Sequence, residues 1–324
     1  MHVSDFFSSF SSPWPPSLAP TYLSQAKDTV WGAITTLTGS NFLHNTLASA
    51  INPVTKGSTD ELDRLRSQLF NPQGEFAAEP VTLRAADGAF IKGAFFPGSS
   101  DRAILFALGA YGRYEAVANP EDAAYHFVNF FRTRLGDGMN VLVINTRGID
   151  NDMHSPSIRG CSLDYHAAWS FLESKGLKVL PWGHSLGGRY VVEAAAWKQQ
   201  EHPTKKICLV SDRSFDDIGN EAKQAFGGGV KGNAVGALMR YSGWSGNVLG
   251  SWQRLQGSKL LIVAPEDKTV PYRTASLYKR LRVHLGEETT VVKLRGTDNP
   301  HTRIYNNEEE RAIKEAVNLL FSEI

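Results

Sequence analysis

The chain has 324 residues, of which 42% are hydrophobic and 21% charged, an ordinary globular composition with enough length to bury a large core. Its 34 Lys and Arg against 33 Asp and Glu leave a formal net charge of +1, with no basic block to gather a phosphate backbone, so nucleic acid is excluded as an expected partner. Only Cys161 and Cys208 are present, which excludes a cysteine-ligated zinc site and fits a reducing compartment; Cys208 lies in the apolar run 207–210, where a buried thiol is the ordinary reading.

In chain order, the first residues lack a positive n-region followed by an apolar h-region, so a cytoplasmic protein is expected. Residues 8–20 are rich in Ser, Pro and aromatics, and Pro13, Pro15, Pro16 and Pro20 block any helix there. Between 21 and 37, Leu23, Ala26, Val30, Ala33, Ile34 and Leu37 recur at spacings of three and four, which puts them on one helix face. That face is expected to pack on the rest of the protein, with peripheral membrane or partner contact as the alternative. Residues 29–55 carry no Lys, Arg, Asp or Glu, but Gly32, Gly39, Ser40, Asn41 and Asn45 interrupt them, which argues against a bilayer span. A short helix is expected over 60–69 and a linker over 72–74, making 1–75 a partly helical N-terminal extension.

From 76 to 324 short β-rich runs alternate with helical stretches, the pattern of an α/β domain with a mainly parallel sheet and helices on both faces. The runs 80–84 and 90–96 flank Asp87-Gly88 and read as an antiparallel hairpin. Further runs at 103–108, 140–145, 178–182, 206–211, 259–264 and 289–294 bring the expected sheet to eight strands. Helices are expected near 121–135, 163–175, 186–199, 272–285 and 308–322.

Residues 183–187 read Gly-His-Ser-Leu-Gly, a G-x-S-x-G pattern between a strand run and a helical stretch. A serine at the tip of so sharp a turn needs strained backbone angles, and the positions two before and two after come too close for side chains; Gly183 and Gly187 meet that need. Ser185 is therefore the candidate nucleophile, with the Leu186 amide as a donor to an oxyanion. His184 is read as a packing residue that faces away from the site, and Pro181 is expected near the end of its strand because it lacks an N–H. A serine hydroxyl needs a base within reach and a carboxylate to set that base's tautomer. Asp267 follows the run 259–264 and His301 follows the final run, so both fall at the strand ends where Ser185 sits. Asp212, after the run 206–211, is the alternative acid; Glu266 and Asp298 are weaker rivals. A second oxyanion donor is expected from the loop 108–115, at the amide of Ala110 or Tyr111.

With these residues in place, the chain from about 80 onward resembles the α/β-hydrolase superfamily. Val141 to Gly148 looks like its fourth strand and Arg-Gly turn, and Asp267-Lys268-Thr269-Val270-Pro271 looks like its acid loop. The resemblance implies strand order 1-2-4-3-5-6-7-8 with the second strand antiparallel. More narrowly, Gly109 to Glu115 and Ser214-Phe215-Asp216-Asp217 are similar to segments of phosphatidylserine-lipase-like hydrolases and of uncharacterised relatives in intracellular bacteria, with a departure at Ala110. Residues 213–257, with Met239, Tyr241, Trp244 and Trp252, form an insertion that reads equally as a lid over the site or as helices with aromatic anchors. The expected activity is hydrolysis of carboxylic esters, lipid-like acyl esters among them, through an acyl-enzyme; no metal or organic cofactor is required. The alternatives are a peptidase or amidase on the same three residues, or a non-catalytic interaction protein on a hydrolase scaffold.

Overall fold

The computed structural model describes residues 59–324 except 111, 137, 150–155, 226–228, 242, 243, 245, 247, 287 and 297. The amphipathic helix expected at 21–37 and the candidate donor Tyr111 lie outside the described residues.

Eight strands form one sheet: β1 (Glu79–Arg84), β2 (Phe90–Phe96), β3 (Arg102–Ala107), β4 (Asn140–Ile144), β5 (Lys178–His184), β6 (Leu209–Asp212), β7 (Lys259–Val263) and β8 (Thr289–Lys293). Their order is β1-β2-β4-β3-β5-β6-β7-β8. β2 runs antiparallel to both β1 and β4, and the pairs from β4 to β8 are parallel. The period-two alternation of a strand divides the core in two. Leu105, Ala107, Leu142 and Ile144 face one side, where they pack with α3 (Ile158–Ser174), α4 (Leu186–Glu201) and α7 (Val248–Arg254). Ile104, Phe106, Val141 and Val143 face the other, against α2 (Ala123–Phe130) and α9 (Asn307–Glu323). Because helices cover both faces, β4 is buried at every position and its sequence Asn-Val-Leu-Val-Ile is nearly all apolar. The remaining α-helices among the described residues are α1 (Thr59–Leu69), α5 (Ile218–Ala225), α6 (Gly229–Tyr241) and α8 (Leu277–Leu281). Among the described residues no helix is long and apolar enough to cross a membrane.

Two local expectations are corrected. The helix expected over 272–285 shrinks to α8, because the amides of Thr274, Ala275 and Ser276 all turn back to the Pro271 carbonyl and Ser276 then caps the helix by accepting from the Lys279 amide. Pro181 sits mid-strand in β5, not near its end. The Ser185 amide donates to the Asp212 carbonyl, so by alternation Pro181 also turns its nitrogen toward β6; pairing on that side begins only at Trp182, and no ladder bond is lost.

α1 is tied to the sheet domain by charge. Arg66 donates through Nε and Nη2 to Glu115 Oε1 at 3.0 and 2.7 Å, and Asn145 Nδ2 donates to the other Glu115 oxygen at 3.0 Å. Glu115 is fully buried, so Arg66 is the countercharge that makes its burial tolerable. Arg66→Ala is expected to lower stability in urea unfolding by about 3 kcal/mol, and adding Glu115→Gln to it to recover part of that loss; a single variant as stable as the native chain would contradict this role.

Candidate active site

β5 delivers the chain into a turn at Ser185, whose φ of 52° and ψ of −120° lie where side-chain-bearing residues rarely sit. The crossing is tight: a Cβ on Gly183 would come within 2.5 Å of the Gly187 carbonyl oxygen, and one on Gly187 would overlap the Ala107 carbonyl oxygen. Gly188 is equally constrained, since a Cβ there would lie 2.5 Å from Ser214 Oγ. α4 begins at Leu186, where the first amides of a helix have no acceptor within it.

The loops after β7 and β8 bring two further groups to this turn. His301 Nε2 lies 3.1 Å from Ser185 Oγ, and His301 Nδ1 lies 2.7 Å from Asp267 Oδ2. An ionised carboxylate only accepts, so Nδ1 carries the proton and Nε2 is left to take the serine hydroxyl's. Asp267 Oδ1 accepts from the amides of Thr269 and Val270 at 2.8 and 2.9 Å. Burial pushes the Asp267 carboxyl up, but the attraction and hydrogen bond of His301, with those two amides, together hold it below the usual carboxylate range. All three side chains are buried.

Asp212 is not bonded to His301. It receives Arg213 Nε and Nη2 at 2.7 and 2.8 Å and the Tyr305 hydroxyl at 2.6 Å. Glu266 and Asp298 are exposed. His184 does not face away as expected: its ring centroid is 5.0 Å from that of His301, and its Nε2 donates to the His301 carbonyl at 2.8 Å. Burial, then the positive charge of Arg213, pushes His184 down to about 3, so it is a neutral prop under the loop that carries His301. Arg213 and Tyr305 were not singled out in the sequence, where nothing but the adjacent opposite charges of Asp212 and Arg213 marks them.

The loop after β3 passes directly over the serine, since a Cβ on Gly109 would lie 3.2 Å from Ser185 Cβ. The Gly112 amide returns to the Gly109 carbonyl, and Asn145 Oδ1 accepts from the Tyr114 amide at 2.8 Å, which pins the far end of the loop. Ala110, the next residue in this loop, is half-buried against the core. In the insertion, Met239, Trp244 and Trp252 are buried in the core shared with α3 and α4.

No family model and no curated protein matches the sequence. Solved structures do: an α/β hydrolase from Vibrio vulnificus aligns with a TM-score of 0.61 at 19% identity, over 89% of this chain and 95% of that one. The chain has the α/β-hydrolase fold. The Pyrococcus furiosus esterase Pf2001 aligns at a TM-score of 0.56 and 14% identity over 83% and 97% of the two chains, and the α/β hydrolase GrgF from a Penicillium species at 0.52 and 17% over 76% and 98%. In this α/β-hydrolase sheet Ser185, Asp267 and His301 all lie beyond the carboxyl ends of parallel strands, where a doubly covered sheet opens its crevice.

The burial of neutral His184 has a consequence for acid stability. A histidine held at about 3 in the folded chain, against 6.5 when free, contributes fully above pH 6.5, and that contribution is lost as pH falls from 6.5 toward 3. The loss accrues at roughly 1.4 kcal/mol per pH unit. His184→Gln keeps an Nε2 donor without a titrating ring, so between about pH 7.5 and about pH 4.5 it is expected to lose about 3 kcal/mol less stability than the native chain. Urea unfolding at the two pH values measures this, and parallel pH slopes would contradict it.

Proposed function

We propose that the protein is a serine hydrolase that cleaves carboxylic esters through an acyl-enzyme. The observation that carries this reading is the continuous hydrogen-bonded line from Asp267 through His301 to the strained Ser185. Ser185 Oγ attacks the carbonyl carbon while His301 Nε2 takes its proton, and the electron pair of the carbonyl bond moves onto oxygen. The Leu186 amide, with the Ala110 or Tyr111 amide, stabilises that oxyanion. His301 returns the proton to the departing alcohol oxygen as the tetrahedral adduct collapses. Water then repeats the sequence: His301 takes its proton, hydroxide adds to the acyl carbon, and Ser185 leaves with the proton restored.

Asp267 acts by holding His301 in the tautomer that leaves Nε2 free. Asp212 accepts three hydrogen bonds from Arg213 and Tyr305 and none from His301, which supports Asp267 as the acid. An interaction protein on the same scaffold has no use for a serine, a histidine and a carboxylate in bonding register, which supports an enzyme over that alternative. A lipid-like acyl substrate is the narrower reading, resting on the helical spacing of the apolar residues in the sequence 21–37 and on the short segments similar to phosphatidylserine-lipase-like hydrolases.

A fluorophosphonate probe is expected to add once to the native chain by intact mass, not at all to Ser185→Ala or His301→Ala, and about 10⁴-fold more slowly to Asp267→Asn. Well-folded native chain that resists the probe, or Ser185→Ala that still reacts, would sink the proposal. An acyl-length series of esters tests the narrower reading, which predicts faster turnover of long chains; equal rates on short and long esters would restrict it to esters in general.

A further inference from the structure

Arg213 is fully buried next to the candidate site, yet it hydrogen-bonds to none of the three reacting groups. All five of its N–H donors are matched. Nε donates to Asp212 Oδ1 at 2.7 Å, and Nη2 to Asp212 Oδ2 at 2.8 Å and to the Tyr305 hydroxyl at 3.4 Å. Nη1 donates to the carbonyls of Pro300 and Arg303 at 3.1 and 2.8 Å. These two carbonyls bracket His301, whose own carbonyl is held by His184. The guanidinium packs against the rings of Phe127 and Tyr305, 5.4 and 5.3 Å from their centroids. Its backbone is in the left-handed region, with φ of 48°. A buried charge and a strained backbone are both costly, and the whole arrangement converges on the loop that presents His301.

We propose that Arg213 is a positioning residue for His301, locking the 300–303 backbone so that Nε2 stays within reach of Ser185 Oγ, and that Asp212 is the anchor that holds Arg213 in place. This rests on the reading of Ser185, His301 and Asp267 as the reacting unit. The carboxylate at the end of β6 thus acts on the base through the backbone, while the one after β7 acts on the ring. A planar fork is required for this role: only a guanidinium can grip a carboxylate along one edge and span two carbonyls with the opposite nitrogen. Lysine keeps the charge but has three donors at a single point, so Arg213→Lys preserves the electrostatics and loses the span. The outer end of the same loop is fixed independently, by Arg303 on Glu309 and by Glu309 on the Arg295 and Asn306 amides, so a variant at Arg213 frees the segment nearest the base without releasing the loop.

The test is saturation kinetics of fluorophosphonate labelling on the full chain, followed by intact mass, which separates the maximal rate, the half-saturating concentration and the fraction of protein that reacts. A shift of about an ångström in the base costs on the order of 10²-fold in rate. Arg213→Lys and Arg213→Met are therefore expected to lower the maximal rate about 30- to 100-fold with the half-saturating concentration unchanged. Tyr305→Phe, which removes one hydroxyl from the anchor, is expected to lower it about threefold. A purely structural role would instead reduce the reacting fraction and leave the folded remainder at the native rate. That result in Arg213→Lys or Tyr305→Phe would overturn the inference even where Arg213→Met does not fold. Native protein that shows no Ser185-dependent labelling would overturn the proposed function, and this inference with it; Ser185-dependent labelling at native rate in Arg213→Lys would overturn this inference alone.

Discussion

The backbone crossing at Ser185 leaves almost no room, and most of the site follows from that. Three carbonyl oxygens and a serine side chain occupy the space where Cβ atoms of residues 183, 187 and 188 would otherwise be, so glycine is the one residue that lets β5 turn into α4 there. The turn forces Ser185 to positive φ and lifts its side chain off the sheet edge. A residue so placed cannot relax without pulling β5, in the middle of the sheet, out of register with β3 and β6. The two-sided core holds the strain, and the loops after β3, β7 and β8 meet at the point it creates.

Around that point Asp267, Asp212 and Arg213 are buried with every side-chain oxygen and nitrogen hydrogen-bonded. Asp267 has both oxygens occupied, Asp212 has both oxygens occupied, and Arg213 has no idle donor. Two carboxylates stand at the ends of adjacent parallel strands and differ in role because of their neighbours: one meets an imidazole, the other a guanidinium and a phenol. Completeness matters because each of these groups, left alone in the same low-dielectric setting, would cost more than its bonds return.

The strands were legible in the sequence because each is a short apolar run closed by a turn signal, as in Val141 to Ile144. The strand order came from the resemblance and not from periodicity, which cannot order strands. The serine turn was legible because steric demand writes glycine at fixed offsets. Less visible was anything decided by tertiary neighbours. Pro181 reads as a strand end, and only the short reach of β6 makes it tolerable in the middle. The span 272–285 has helical spacing, but three amides competing for the Pro271 carbonyl delay the helix to Leu277. His184 gives no hint of its proximity to His301, because 117 residues separate them and the contact runs through a backbone carbonyl. Arg213 looks like any charged residue after a strand; its partners at 300, 303 and 305 are joined to it by the fold alone.

In the proposed mechanism Asp267 fixes the proton on His301 Nδ1 and so frees Nε2 for the serine. Proton NMR of the native chain at low temperature reads that bond as a far-downfield imidazole resonance. The resonance is expected in the native protein and in Ser185→Ala, and its absence is expected in Asp267→Asn and His301→Ala. A resonance that survives in folded Asp267→Asn would contradict it.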